Sequence, residues 1–184
     1  MTDLDRDPIV NVVHNGIKHG IRVAVDKECW GSAVVLILAG IDTMAYLGMP
    51  ATQQDVTRMD FVKWVERYIT FPCNEQLTGL DLYGARCGML HSFSTVSKLN
   101  RDGKCRRVGY MDRSVPEIRY NPKIDDDFVL VSIEALAESF FRGMDRFLVD
   151  LYADKDKAKV ADDRFQHVVH SLSVSSTREQ LPKS

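Results

Sequence analysis

Four residues separate Arg86 from His91 in the segment Leu82-Tyr-Gly-Ala-Arg86-Cys-Gly-Met-Leu-His91-Ser-Phe93. An arginine fork grips two phosphate oxygens at once, and a histidine moves a proton near neutral pH. Together they suit RNA cleavage without a metal. His91 would take the proton of a 2′-hydroxyl or give one to the leaving oxygen, and Arg86 would stabilise charge developing on the phosphorane. On an α-helix a step of five residues is ~7.5 Å of rise and ~140° of rotation, so the two side chains flank a substrate instead of stacking on it. A structural reading competes: Arg86 tied to a carboxylate, and His91 a cation at a helix C-terminus.

Asp42 belongs to the same chemistry. Val34, Val35, Leu36, Ile37, Leu38, Ile41, Met44, Ala45 and Leu47 leave its segment almost no polar face. A carboxylate in such surroundings needs a partner. Either it orients Arg86 or His91 as a supporting acid, or it bridges to a backbone amide elsewhere. After His91 comes the only basic cluster, Lys98, Arg101, Lys104, Arg106 and Arg107 against Asp102, with Arg113 and Arg119 further on. If this loop folds back over the helix end it lines the Arg86/His91 cleft and holds RNA phosphates, with Phe93 or Tyr110 to stack a base; otherwise it is a solvated face. Arg164 and His170 form a rival arginine–histidine pair beside a charge run and a polar tail.

The Arg86-x4-His91 motif on a mainly helical domain resembles the HEPN superfamily (higher eukaryotes and prokaryotes nucleotide-binding), whose signature is Arg, four to six residues, His. The resemblance implies a helical bundle that homodimerises with the motifs of two subunits facing across a cleft. It also implies endoribonuclease activity in toxin–antitoxin, abortive-infection or RNA-processing settings, with an antitoxin or effector protein as a further partner. Toxin members extend the motif to Arg-x4-His-x-Tyr, and many active members carry a polar residue after the Arg. This chain has Phe93 and Cys87 at those places. Two other readings therefore stand beside the ribonuclease: a catalytically silent HEPN-like RNA-binding or interaction module, and a plain helical scaffold.

The elements that must position these residues read as helices. Ile9 to about Cys29 has helical apolar spacing, and Gly16 and Gly20 on its inner face predict close approach of another backbone. Ser32 caps a helix from Ala33 to about Leu47, apolar almost all round and so central. Thr57 or Asp60 starts a third with Phe61, Val62, Val65, Tyr68 and Ile69 inward, stopped by Pro72. Asn74 caps a fourth through roughly His91, with small Gly84 and Gly88 on its packed face. Residues 92–127 read as a basic loop or a small β-hairpin of Arg107–Met111 and Glu117–Tyr120. Asp125, Asp126 and Asp127 precede the clearest amphipathic helix, with Ile133, Leu136, Phe140, Met144, Phe147 and Leu151 on one face. Residues 154–163 read as a solvated charge run, 164–170 as a helical turn and 171–184 as a disordered polar tail. The expected fold is mainly α: a bundle of about five helices with a short basic insertion, one domain over 1–170.

Composition narrows the rest. The 184 residues are 45% apolar and 27% charged with a formal net charge of −2, a globular composition without an overall polyanion footprint. Cys29, Cys73, Cys87 and Cys105 form no C-x-x-C pair, and no phosphate-binding glycine loop, serine-hydrolase elbow or zincin motif occurs, so no metal or cofactor is called for. Residues 1–8 lack the apolar core of a signal peptide, and the run Ala33 to Ile41 falls short of the ~20 residues that span a bilayer. The expectation is a cytoplasmic protein that meets no membrane.

Overall fold

A computed structural model describes residues 7–112 and 116–168, and the chain there is mainly α-helical. Helix α1 (Pro8–Asn11) opens on Asp7, whose carboxylate accepts from the Ile9 and Val10 amides. It runs on through a π-helical stretch, Val12–Lys18, into α2 (His19–Asp26). The close approach expected at Gly16 and Gly20 is not there. A Cβ on Gly16 would meet only Val12 Cγ1 at 3.8 Å, and one on Gly20 nothing within 4 Å. Gly16 lies inside the π stretch, where the widened turn sets the local geometry.

Helix α3 (Trp30–Gly48) starts earlier than Ser32 allows, with Cys29 at its N-cap. Its 19 residues are long and apolar enough to cross a bilayer by length and composition, more than the run Ala33 to Ile41 suggests. Here it is the central helix, with Ile37, Leu38, Ile41 and Met44 buried and α2, α4, α5, α7 and α8 against it. Gly40 admits the Phe140 ring, which stands 2.8 Å from where a Cβ would be. Burial of this face is what fixes the fold, since apolar area removed from water contributes ~25 cal/mol per Å².

Thr57 caps α4 (Arg58–Tyr68) in a reciprocal box with Asp60, and Phe61, Val62, Val65, Tyr68 and Ile69 are buried as their spacing predicts. Trp64 joins them, edge-on to Phe140 and Phe147. Helix α5 (Gly79–Ser92) is capped by Thr78 and not by Asn74, because Asp81 three residues on completes the second box. After a short α6 (Lys98–Arg101) come β1 (Arg107–Met111), β2 (Ile118–Tyr120) and β3 (Phe128–Ser132).

The expected hairpin is replaced by a three-stranded sheet. β3 lies between the other two, parallel to β1 (Val108 opposite Val129) and antiparallel to β2 (Ile118 opposite Val131). The three aspartates before it read as a helix start, yet Val129 and Val131 alternate inward as a strand requires. The helix proper, α7 (Ile133–Tyr152), begins at Ser132, whose Oγ accepts from the Ala135 amide.

The charge run is also helical: α8 (Lys155–Phe165) starts on Asp154 and buries Ala161, Arg164 and Phe165. With α1, the π stretch and α2 counted as one body, the described residues hold seven helices, not about five. The two extra helices are α6, a single turn with no buried residue, and α8, which exposes about half of its residues, so hydrophobic patterning hardly marks them. Arg113, His170 and the tail 171–184 lie outside the described residues.

Candidate functional site

Helix α5 carries the site because its faces are assigned to different neighbours. Leu82, Ala85 and Met89 are buried in the core. Asp81, Gly84 and Gly88 meet the segment that follows the helix: a Cβ on Gly84 would stand 2.5 Å from Cys105 Sγ, and one on Gly88 2.4 Å from the Ser94 carbonyl. Tyr83 and Arg86, one turn apart, point to the α3 side.

There Arg86 meets Asp42. Its Nε donates to Asp42 Oδ2 at 2.8 Å, with both side chains about a quarter exposed. Among the described residues the guanidinium has no other hydrogen-bond partner. Burial pulls the Arg86 pKa down, but the hydrogen bond and charge of Asp42 outweigh it and hold it above the usual arginine range. The guanidinium carbon stands 5.9 Å from the centre of the Tyr83 ring. The Tyr83 phenol is itself pushed up, chiefly by burial and then by Cys87.

Arg86 and Asp42 line a cleft of about 570 Å³, with Tyr46, Tyr83, Thr43 and Thr57 among its walls. Val12 and Ile17 close one side, so the π-helical stretch borders it. Such stretches are frequent at functional sites. An arginine whose terminal N–H groups no described residue claims, beside flat rings and hydroxyls, can bind an oxyanion carried on a planar or sugar-like group.

His91 is not among the lining residues. It stands exposed in the last turn of α5, about 140° round the helix from Arg86 as the spacing requires. Phe93, the C-cap, has a left-handed backbone (φ 52°), and its 66% exposed ring rests over Gly31.

The basic cluster lies elsewhere. Because residues 94–106 pack on the Asp81/Gly84/Gly88 face, none of them lines the Arg86 cleft. Arg106 is committed to Asp81, through Nε at 3.1 Å, Nη2 at 2.6 Å and its own amide at 2.9 Å, and it also donates to the Gln76 carbonyl. Arg107 pairs with Asp125 at 3.1 Å, and Lys104 lies 3.5 Å from Asp102. Lys98 and Arg101 are exposed on α6.

Arg164 of the rival pair is buried and structural. It donates to the carbonyls of Tyr46, Met49, Pro50 and Gln53, closing the C-terminal end of α3. Comparison with protein families, curated proteins and solved structures finds no match.

One residue of the cleft has no sequence signal. His167 stands on the turn after α8, exposed and lining the same cleft as Arg86 and Asp42. It lies 81 positions from Arg86, so only the docking of α8 on α3 brings the two together.

Proposed function

We propose that this chain is a HEPN-like, metal-independent endoribonuclease, cytoplasmic and acting as a homodimer, with Arg86 as phosphate holder, His91 as acid/base group and Asp42 as the acid that orients Arg86. The supporting observation is the Asp42–Arg86 pair. Asp42 engages Nε only, which fixes the guanidinium plane and, among the described residues, leaves both terminal nitrogens for a phosphate in the cleft. A preset donor of this kind is worth most where charge develops in the transition state. Tyr46 and Tyr83 offer flat surfaces to unstacked bases, which favours single-stranded RNA.

His91, exposed at the helix end, is open to a strand passing Arg86. The outer stripe of α3, with Val35 and Ala39 half-buried and Leu36 exposed, and the exposed ring of Phe93 suit a second copy of the chain. An antitoxin or effector protein is the further partner of this reading, and no membrane takes part. A catalytically silent RNA-binding module is favoured by one observation, the position of His91 outside the cleft.

The test is incubation of the purified chain with labelled single-stranded RNA and bulk tRNA in excess EDTA, with Arg86→Ala and His91→Ala in parallel. Cleavage by the parent that folded Arg86→Ala and His91→Ala both lose supports the reading with both residues in their roles; loss in Arg86→Ala alone supports a ribonuclease in which His91 is not the acid/base group. No cleavage, with RNA binding that weakens steeply as salt rises, supports the silent module. Neither cleavage nor binding overturns both.

A further inference from the structure

We infer that His167 is a catalytic acid/base residue of the Arg86 cleft, an inference that rests on the ribonuclease reading above. Three observations converge on it. Among the described residues His167 is the histidine that lines the cleft with Arg86 and Asp42, whereas His91 does not. Its place is fixed by a buried anchor: Arg164 holds four carbonyls at the end of α3 and in the loop that follows, and the His167 amide donates to the Arg164 carbonyl at 2.9 Å. The imidazole nevertheless remains exposed, free to reach a bound substrate.

The reaction has work for such a group. When a ribose 2′-oxygen attacks the adjacent phosphorus, a P–O2′ bond forms and the P–O5′ bond breaks. The 2′-hydroxyl proton passes to a base, and O5′ receives a proton from an acid, leaving a 2′,3′-cyclic phosphate and a 5′-hydroxyl. No oxidant, metal or second reactant is consumed. Arg86, held by Asp42, meets the charge on the non-bridging oxygens. His167 supplies one of the two proton transfers, and Thr43, Thr57 and the two tyrosines surround the nucleotide.

The experiment compares the parent with His167→Ala and His167→Gln on single-stranded RNA in EDTA, measuring kcat and KM separately and adding imidazole to the alanine variant. Because the side chain is exposed, both variants should fold as the parent does, which circular dichroism checks. The expected result is a kcat lower by about 10²–10⁴-fold with KM nearly unchanged, partly restored by imidazole. Parent-like cleavage by folded His167→Ala overturns the inference and leaves the ribonuclease reading standing. So does a loss that lies wholly in KM with no imidazole rescue, the mark of a binding role. A parent that cleaves no RNA removes the ribonuclease reading and this inference together.

Discussion

Asp81→Asn separates an arginine used by the fold from those left for a ligand. The Asp81 side chain is 3% exposed and accepts four hydrogen bonds: from the amides of Thr78 at 3.0 Å and Arg106 at 2.9 Å, and from Arg106 Nε at 3.1 Å and Nη2 at 2.6 Å. Asparagine offers one acceptor oxygen where aspartate offers two. Whichever way the amide turns, its NH₂ faces either the Arg106 amide or the cluster of Thr78 and guanidinium donors. The guanidinium, on a side chain 18% exposed, then lacks a counter-charge with little water to replace it. Breaking a buried pair from one side costs about 3–5 kcal/mol; the retained volume and one surviving oxygen put this change near the lower end, ~3 kcal/mol. For a chain of this length that is a fall in Tm of roughly 10 °C.

The assay is urea unfolding followed by far-UV circular dichroism, with Arg107→Gln as the contrast. The Arg107–Asp125 pair is 44% and 40% exposed, so its loss should stay within ~1 kcal/mol. Unfolding of Asp81→Asn within ~1 kcal/mol of the parent, or an equal loss in Arg107→Gln, refutes the assignment of Arg106 to the fold.

Three further outcomes follow from the packing. Gly88→Ala puts a methyl 2.4 Å from the Ser94 carbonyl, a backbone atom that cannot swing aside, so it should destabilise by at least 1–3 kcal/mol by the usual cost of overpacking, read in the same urea titration. Arg164→Met removes the donor to four carbonyls and should cost about 2–4 kcal/mol; in the ribonuclease reading it should also slow cleavage in the fraction that stays folded, through His167. Burial, with smaller contributions from Asp81 and Cys87, pushes the Cys105 thiol from 9.0 up to about 11. At pH 8 iodoacetamide should therefore label exposed Cys29 and spare Cys105 until urea unfolds the chain, as peptide mass mapping would show. The linkage has the same sign. The neutral thiol favours the folded state below about 9, and that contribution is lost as pH rises from about 9 to about 11 because the unfolded thiol ionises first.

Sequence periodicity alone was enough to place the helices that bury a continuous stripe. Phe61, Val62, Val65 and Tyr68 on α4, and Leu136, Phe140, Met144 and Phe147 on α7, are inside because their spacing leaves one apolar face to cover. The near absence of a polar face around Asp42 likewise marked it as a carboxylate in need of a partner. What sequence left open was which partner, since Arg86 is 44 residues away and the choice depends on how α5 rolls against α3. That roll is set by Gly84 and Gly88, which let residues 94–106 press on the opposite face. The same packing carries Arg106 to Asp81 and keeps the basic cluster out of the cleft. Local signals marked the strands at Arg107–Met111 and Glu117–Tyr120 but missed β3 and hence the pairing, because β3 is a strand only by virtue of β1 and β2 on either side of it. That His167 stands beside Arg86 and Asp42 was hidden for the most general reason. Its chemistry depends on α8 docking at the end of α3, and a contact between distant segments leaves no pattern in either one.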